Sequence, residues 1–365
     1  MAPIKPFVAC LFLTTTSLAG TINVPLDHAT IQEAVDVASD GDVIIVGPGT
    51  YTAPGADQVV DMRGKAVTLK SSNGPAVTII DGEGVRRGIT CVSGETNKTI
   101  IKEFTITNGF ANEVNFDGNA LISGWETSGG GIFCWLSSPS IKACVISGNV
   151  ADVLGTSAGG GLYIKDASPT IDTCTITDNI ADTAPGAGCY VMGGAPQLLD
   201  CTISRNFGGN ALTCRADDSL IRNCTITNND SIGSGGGITL LFESTATVIE
   251  CVIANNNSTG VRGGGINISQ CSPSITSCKI KNNRGRSGGG IACYRADPTI
   301  TDCTIQDNIA DFDGGGLCCS GSSPSITGTV ITDNLANLRG GGVMCSASST
   351  FAANPVFVDC TIASN

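Results

Sequence analysis

The side chains of this chain best suited to chemistry gather in two places. Trp125, Phe133, Trp135, Tyr163 and Tyr190 fall close together with Lys165 and Asp166, and both tryptophans of the chain are among them. Flat amphipathic rings in a row suit sugar faces, and charged neighbours suit sugar hydroxyls. Glu113, Asp117 and Glu126 add carboxylates just upstream. The same rings would serve equally as a strip covering adjacent structure. The second place is basic: Arg262, Lys279, Lys281, Arg284, Arg286 and Arg295 occur with no acid between Glu250 and Asp297. On an acidic chain, Lys279, Lys281, Arg284 and Arg286 form a candidate site for an anionic polysaccharide, with a solvated face as the plainer reading.

Other chemistries find less support. The single histidine, His28, stands far from any cluster, and the 18 cysteines show no Cys-x-x-Cys spacing that would hold zinc. No metal site follows. The net charge of −12 argues against nucleic acid, whose phosphates need Lys and Arg. No apolar run is long enough to span a membrane. The start does resemble an export signal: Lys5, an apolar FVACLFL, then Ser17-Leu18-Ala19. Residues 1–19 are therefore expected to be a signal peptide, and the protein secreted or at the cell surface.

The elements that position these residues come from a repeat. Cys-x-Ile-x-x-Asn opens at Cys144, Cys174, Cys201, Cys224, Cys251, Cys278, Cys303 and Cys360, with Thr329 opening a further copy. Upstream of each copy a proline or small residue precedes an apolar one, as in Pro139 and Ile141 or Pro273 and Ile275. Glycine triads begin at Gly129, Gly159, Gly235, Gly263, Gly288, Gly314 and Gly340, and the first and third residues after each are apolar. That period of two marks short strands with one face inward. No unit can bury its own apolar face, so the units must stack. Three strands per turn and about a dozen turns at ~4.8 Å each make a rod on the order of 55–60 Å long.

Repeated residues then acquire mechanical roles. Asn149, Asn179, Asn206 and Asn229 mark a corner and should form an internal amide ladder. In-register cysteines sit too far apart at Cβ for a disulfide and are expected to be buried free thiols. Cys271 and Cys318 fall outside these ladders and are expected to be the more reactive. Thr30-x-x-Glu33 is a capping box, and Ile31, Ala34, Val35 and Ala38 follow at helical spacing, so an amphipathic helix should cap the open end.

The stretch TIQEAVDVASDGDVIIVGPGTY, followed by VTLKSSNGPAVTIIDGEG and IIKEFTITNG, resembles the start of pectin-lyase-like right-handed β-helix proteins. The GGGI and CTITDN units look like the repeats of right-handed β-helix domains in secreted bacterial proteins. The fold expected is all-β: a single-stranded right-handed parallel β-helix, a solenoid, with an N-terminal capping helix. The domain should run over 20–365, with the cap and first coils at 20–110, an inserted loop at 111–128 and repeat coils at 129–365. The resemblance implies a secreted protein that binds a polysaccharide or cell-surface glycan, with polysaccharide lyase or uronate epimerase activity as one form. Polygalacturonases of this fold carry clustered Asp, His-Gly and Arg-x-Lys. Here the sole histidine lies in the cap, and Arg63-Gly64-Lys65 in an early coil. No cofactor is implied, save calcium if the protein is a lyase, and no catalytic residue stands out. The alternative is a structural surface protein or adhesin. The chain ends on the corner residue Asn365 with no closing cap, so the expectation is either a fragment or something else covering that end.

Overall fold

The computed structural model describes residues 19–55, 57–111, 128–151, 157–182, 185–347 and 350–365. The expected signal segment, apart from Ala19, lies outside them. So do residues 112–127, and with them Trp125, Glu113, Asp117 and Glu126.

From Phe110 to Ala336 each turn of chain makes four strands rather than three. A glycine triad leads into Leu162–Lys165, the proline turn into Thr170–Asp172, Cys-x-Ile supplies Thr175–Thr177, and Ile180–Ala181 follows the corner asparagine. We call the sheets these strands build the triad, proline, cysteine and short sheets. They hold 11, 13, 12 and 9 strands. The short sheet escaped the sequence because two residues are too few to show an alternation, and only the coil above reveals the pairing. All pairs are parallel and, apart from a register shift between Gly285 and Ser287, in register, for example Cys134 with Ile164, Ile141 with Ile171 and Ile146 with Ile176. The result is a right-handed β-solenoid. Among the described residues no helix is long and apolar enough to cross a membrane.

The bends have residue-level causes. Between proline and cysteine sheets a single left-handed residue turns the chain: Ala143, Thr173, Asp200 and Asn223 have φ of 49, 55, 54 and 52°. At the next corner the asparagines stack. Asn149 Nδ2 donates to Asn179 Oδ1 at 2.9 Å, Asn179 to Asn206 at 3.0 Å and Asn206 to Asn229 at 3.0 Å. The ladder continues through Asn256, Asn283, Asn308 and Asn334 to Asn365. Each amide also donates to a carbonyl of the preceding coil, as Asn179 Nδ2 does to Ile146 O at 2.9 Å, so a buried polar column is satisfied throughout.

Inward faces form one continuous apolar core of Ile, Leu, Val and Cys from Val24 to Ile331. The cysteines in it are free. Thiols of the cysteine sheet donate to carbonyls of the coil before, Cys174 Sγ to Ile141 O at 3.6 Å and Cys251 Sγ to Ile221 O at 3.5 Å. Glycine is required in the triads because coils meet there: a Cβ on Gly161 would lie 2.5 Å from the carbonyl oxygen of Gly188.

The cap forms as the sequence implies. Helix Ile31–Val37 starts at Thr30, whose Oγ1 accepts from Glu33 N at 3.1 Å while Thr30 N donates to Glu33 Oε2 at 3.2 Å. Its buried residues Ile31, Ala34 and Val35 join the core. Cys271 and Cys318 are buried, and desolvation pushes their thiols up to about 12 and about 11, which lowers thiolate reactivity.

Candidate functional site: a lane outside the triad sheet

From Ile132–Trp135 onward the second residue of every triad strand points outward, and in-register pairing stacks these residues, with Thr90 before them, into one column. In chain order it reads Thr90, Phe133, Tyr163, Tyr190, Thr213, Thr239, Asn267, Ala292, Cys318 and Met344. The early part is bulky and aromatic, and the later part is small. That change of volume within one column decides what the outer face can hold.

In the aromatic part, the rings of Phe133 and Tyr163 lie 5.3 Å apart at 7°, and those of Tyr163 and Tyr190 lie 5.5 Å apart at 5°. The stacking expected of them is present, but the exposed platform is not. Phe133, Tyr163 and Tyr190 are 4, 0 and 3% exposed. They pack with Ala158 from the segment before the second triad, and with half-buried Trp135 and Met192. The ring faces meet one another, so a sugar has no open face to lie on there. Guanidinium groups flank the stack at both ends. Arg87, itself fully buried, sits 5.1 Å from the Phe133 centroid and donates from Nε to Ser128 O at 3.0 Å. Arg215 bonds to Tyr190. Burial raises the Tyr163 and Tyr190 phenols above the usual tyrosine range. Lys165 pairs with Trp135 and Met192 in the outermost column, and Asp166 is an exposed corner residue at φ 48°.

Past Tyr190 the column shrinks and two cavities open, one of about 320 Å³ and one of about 260 Å³. Arg262, the residue before a glycine triad, lines both. Its guanidinium stacks 3.8 Å from the Tyr294 centroid, and Arg295 covers the same ring at 4.9 Å. Such cation–π contacts are worth ~0.5–2 kcal/mol and hold the two guanidinium groups against the ring. In the larger cavity Asn210 Nδ2 donates to Thr239 Oγ1 at 2.9 Å. Next to Thr239 in the column, Asn267 is 4% exposed and its Oδ1 has no hydrogen-bond partner among the described residues. A buried acceptor left unmade costs ~1–3 kcal/mol, so the site is built to receive a donor. In the smaller cavity Arg339 makes a two-pronged bond to Asp313, Nε to Oδ1 and Nη2 to Oδ2, both at 2.9 Å.

The basic cluster is distributed over three faces. Lys279 and Lys281 stand exposed on the cysteine sheet. Arg284 belongs to the short sheet and is held by Asp311 through Nη2 at 2.7 Å. Arg286 lies 4.7 Å over Phe312, beside a third cavity of about 370 Å³. Arg262 and Arg295 face the lane. Sequence reasoning missed Arg87, Arg262 with Tyr294, and Asn267. The signal for two of these was present: Arg262 replaces the small residue that precedes most triads, and Asn267 stands where other repeats carry Thr, Ala or an aromatic.

This fold and its outer lane define a class, the right-handed β-solenoids with a groove along one sheet. The chain belongs to the family described as "Right handed beta helix region", whose model matches residues 63–262 and 251–365. No curated protein matches the sequence. Among solved structures it is similar to pectate lyase Pel9A, at 11% identity over 91% of this chain and 79% of that one, TM-score 0.47. It is also similar to the A-module of the Azotobacter vinelandii mannuronan C-5 epimerase AlgE4, at 14% identity over 93% and 91%, TM-score 0.45. A polygalacturonase from Erwinia carotovora ssp. carotovora matches at 13% identity over 98% and 96%, TM-score 0.41. At such identities the likeness concerns backbone architecture and says nothing of activity.

Proposed function

We propose that this protein binds a carbohydrate polymer in the lane outside the triad sheet, between Asn210 and Arg339. The observation that carries the reading is the buried Asn267 Oδ1, partnerless among the described residues, in a 320 Å³ cavity lined by the ring-stacked Arg262. A sugar hydroxyl donates to the amide, the guanidinium reads a hydroxyl or carboxylate, and the parallel coils let successive sugars follow the rod. The protein would act outside the cell, where such polymers are met.

The test is a glycan array with wild-type protein and two lane variants, Asn267→Leu and Arg262→Ala. Binding to a defined polysaccharide that weakens at least tenfold in both variants, with thermal melting unchanged, supports the lane. Equal retention of wild type and both variants removes it. No retained glycan at all favours the structural rod. Incubating any bound uronate polymer with and without calcium, and reading unsaturated products in the ultraviolet, separates a lyase from a binder.

A further inference from the structure

Three lysines stand one above another on the outside of the proline sheet, a face the lane does not include. Lys70 pairs with Lys102, and Lys102 with Lys142, across adjacent parallel strands. Their Cα atoms therefore repeat at ~4.8 Å along the rod. All three are half-buried, so the sheet surface supports their stems and leaves the ammonium groups in a row. Like charges directly opposite one another on paired strands repel. Ile45 ends the column on one side and Asp172 on the other.

The rod answers its exposed arginines differently. Arg205 is paired with Asp178, Arg284 with Asp311 and Arg339 with Asp313, each a carboxylate about one coil away. In the lysine column only Lys142 has that answer. Among the described residues no carboxylate comes within 4.0 Å of Lys70 or Lys102, and Lys142 Nζ reaches Asp172 Oδ2 only at 3.8 Å. Glu103, the corner residue after Lys102, is a further acid beside the column. A chain of net charge −12 thus keeps two of the three stacked cations, Lys70 and Lys102, without a paired carboxylate among the described residues.

We propose that Lys70, Lys102 and Lys142 bind an extended polyanion lying along the rod axis, one oxyanion to each lysine. The stacking sets the ligand's period: its anions must recur at about the spacing of one coil. A lone phosphate or sulfate would engage one or two lysines, whereas a polysaccharide with a sulfate or carboxylate on successive sugars engages all three. This site stands independently of the lane and would remain if the lane were empty.

The full chain carrying Asn267→Leu, so that the lane is disabled, is titrated with fluorescent dextran sulfate, polygalacturonate and neutral dextran. Anisotropy is read at about 50 and about 200 mM salt, where counterion release separates charge-driven binding. Binding of either anionic polymer, with neutral dextran inert, is expected, and which one binds tells sulfate from carboxylate. Lys70→Gln with Lys102→Gln and Lys142→Gln should weaken it on the order of tenfold at low salt and flatten the log–log salt slope by about two. The three Lys→Arg changes should keep it. Affinity unchanged in the Gln triple variant, an equal fall on changing Lys279 and Lys281 to Gln, or no polyanion binding at all overturns the proposal.

Discussion

At the scale of single residues, polar side chains inside the rod are held by their own copies. Asn229 Nδ2 donates to Asn256 Oδ1, Ile203 O and Thr227 O, while its Oδ1 accepts from Asn206. Asn229→Ala would orphan buried groups on both neighbouring coils and should cost about 3 kcal/mol or more, measured by urea denaturation. The thiols obey a different rule, since their reactivity depends on the thiolate. With its thiol pushed up to about 11 by burial, Cys318 stays protonated at neutral pH. Its alkylation, followed by mass spectrometry, should be slow below about pH 9 and rise as the pH passes through the folded value. Rapid labelling of Cys318 at pH 7.5 would show that burial does not govern it.

At the scale of elements, stability rests on caps and on close approach between coils. Thr30→Ala removes a cap acceptor from the short helix and should cost about 1 kcal/mol, seen as faster hydrogen exchange of the Glu33 amide. Gly161→Ala places a methyl 2.5 Å from a backbone oxygen that cannot yield without moving the next coil. A loss of about 1–3 kcal/mol is expected for that overpacking, again by denaturation. The triad strands also show how one column makes two surfaces. Phe133, Tyr163 and Tyr190 stack into a closed cluster with Ala158, whereas Thr239, Asn267 and Ala292 leave the outer face open.

For the whole molecule, stacking turns local spacing into long parallel lines of side chains. Twelve strands in the cysteine sheet, at ~4.8 Å each, give a rod on the order of 58 Å along its axis. Small-angle scattering should return an elongated particle, and a compact sphere would contradict the stack. Lines of equivalent residues explain why the proposed ligands are polymers: a chain laid parallel to the axis meets similar groups at every coil. The two proposed surfaces differ in chemistry. The lane offers an amide, ring-stacked guanidinium groups and enclosed volume, and the proline sheet offers a bare column of charge.

Much of this was legible in the chain itself. The inward isoleucines and cysteines, the amide ladder and the capping box each follow from stereochemistry within a few residues, repeated until it could not be missed. The fourth strand was not legible, because a two-residue pairing such as Val150–Ala151 with Ile180–Ala181 exists only between coils. Nor was the burial of Tyr163, which depends on the stacked rings of the coils on either side and on Ala158, or the meeting of Arg262 with Tyr294 one coil on. Period and residue type determine which way a side chain points. What stands over it is decided by neighbours about one coil distant along the chain, and only the assembled solenoid brings those together.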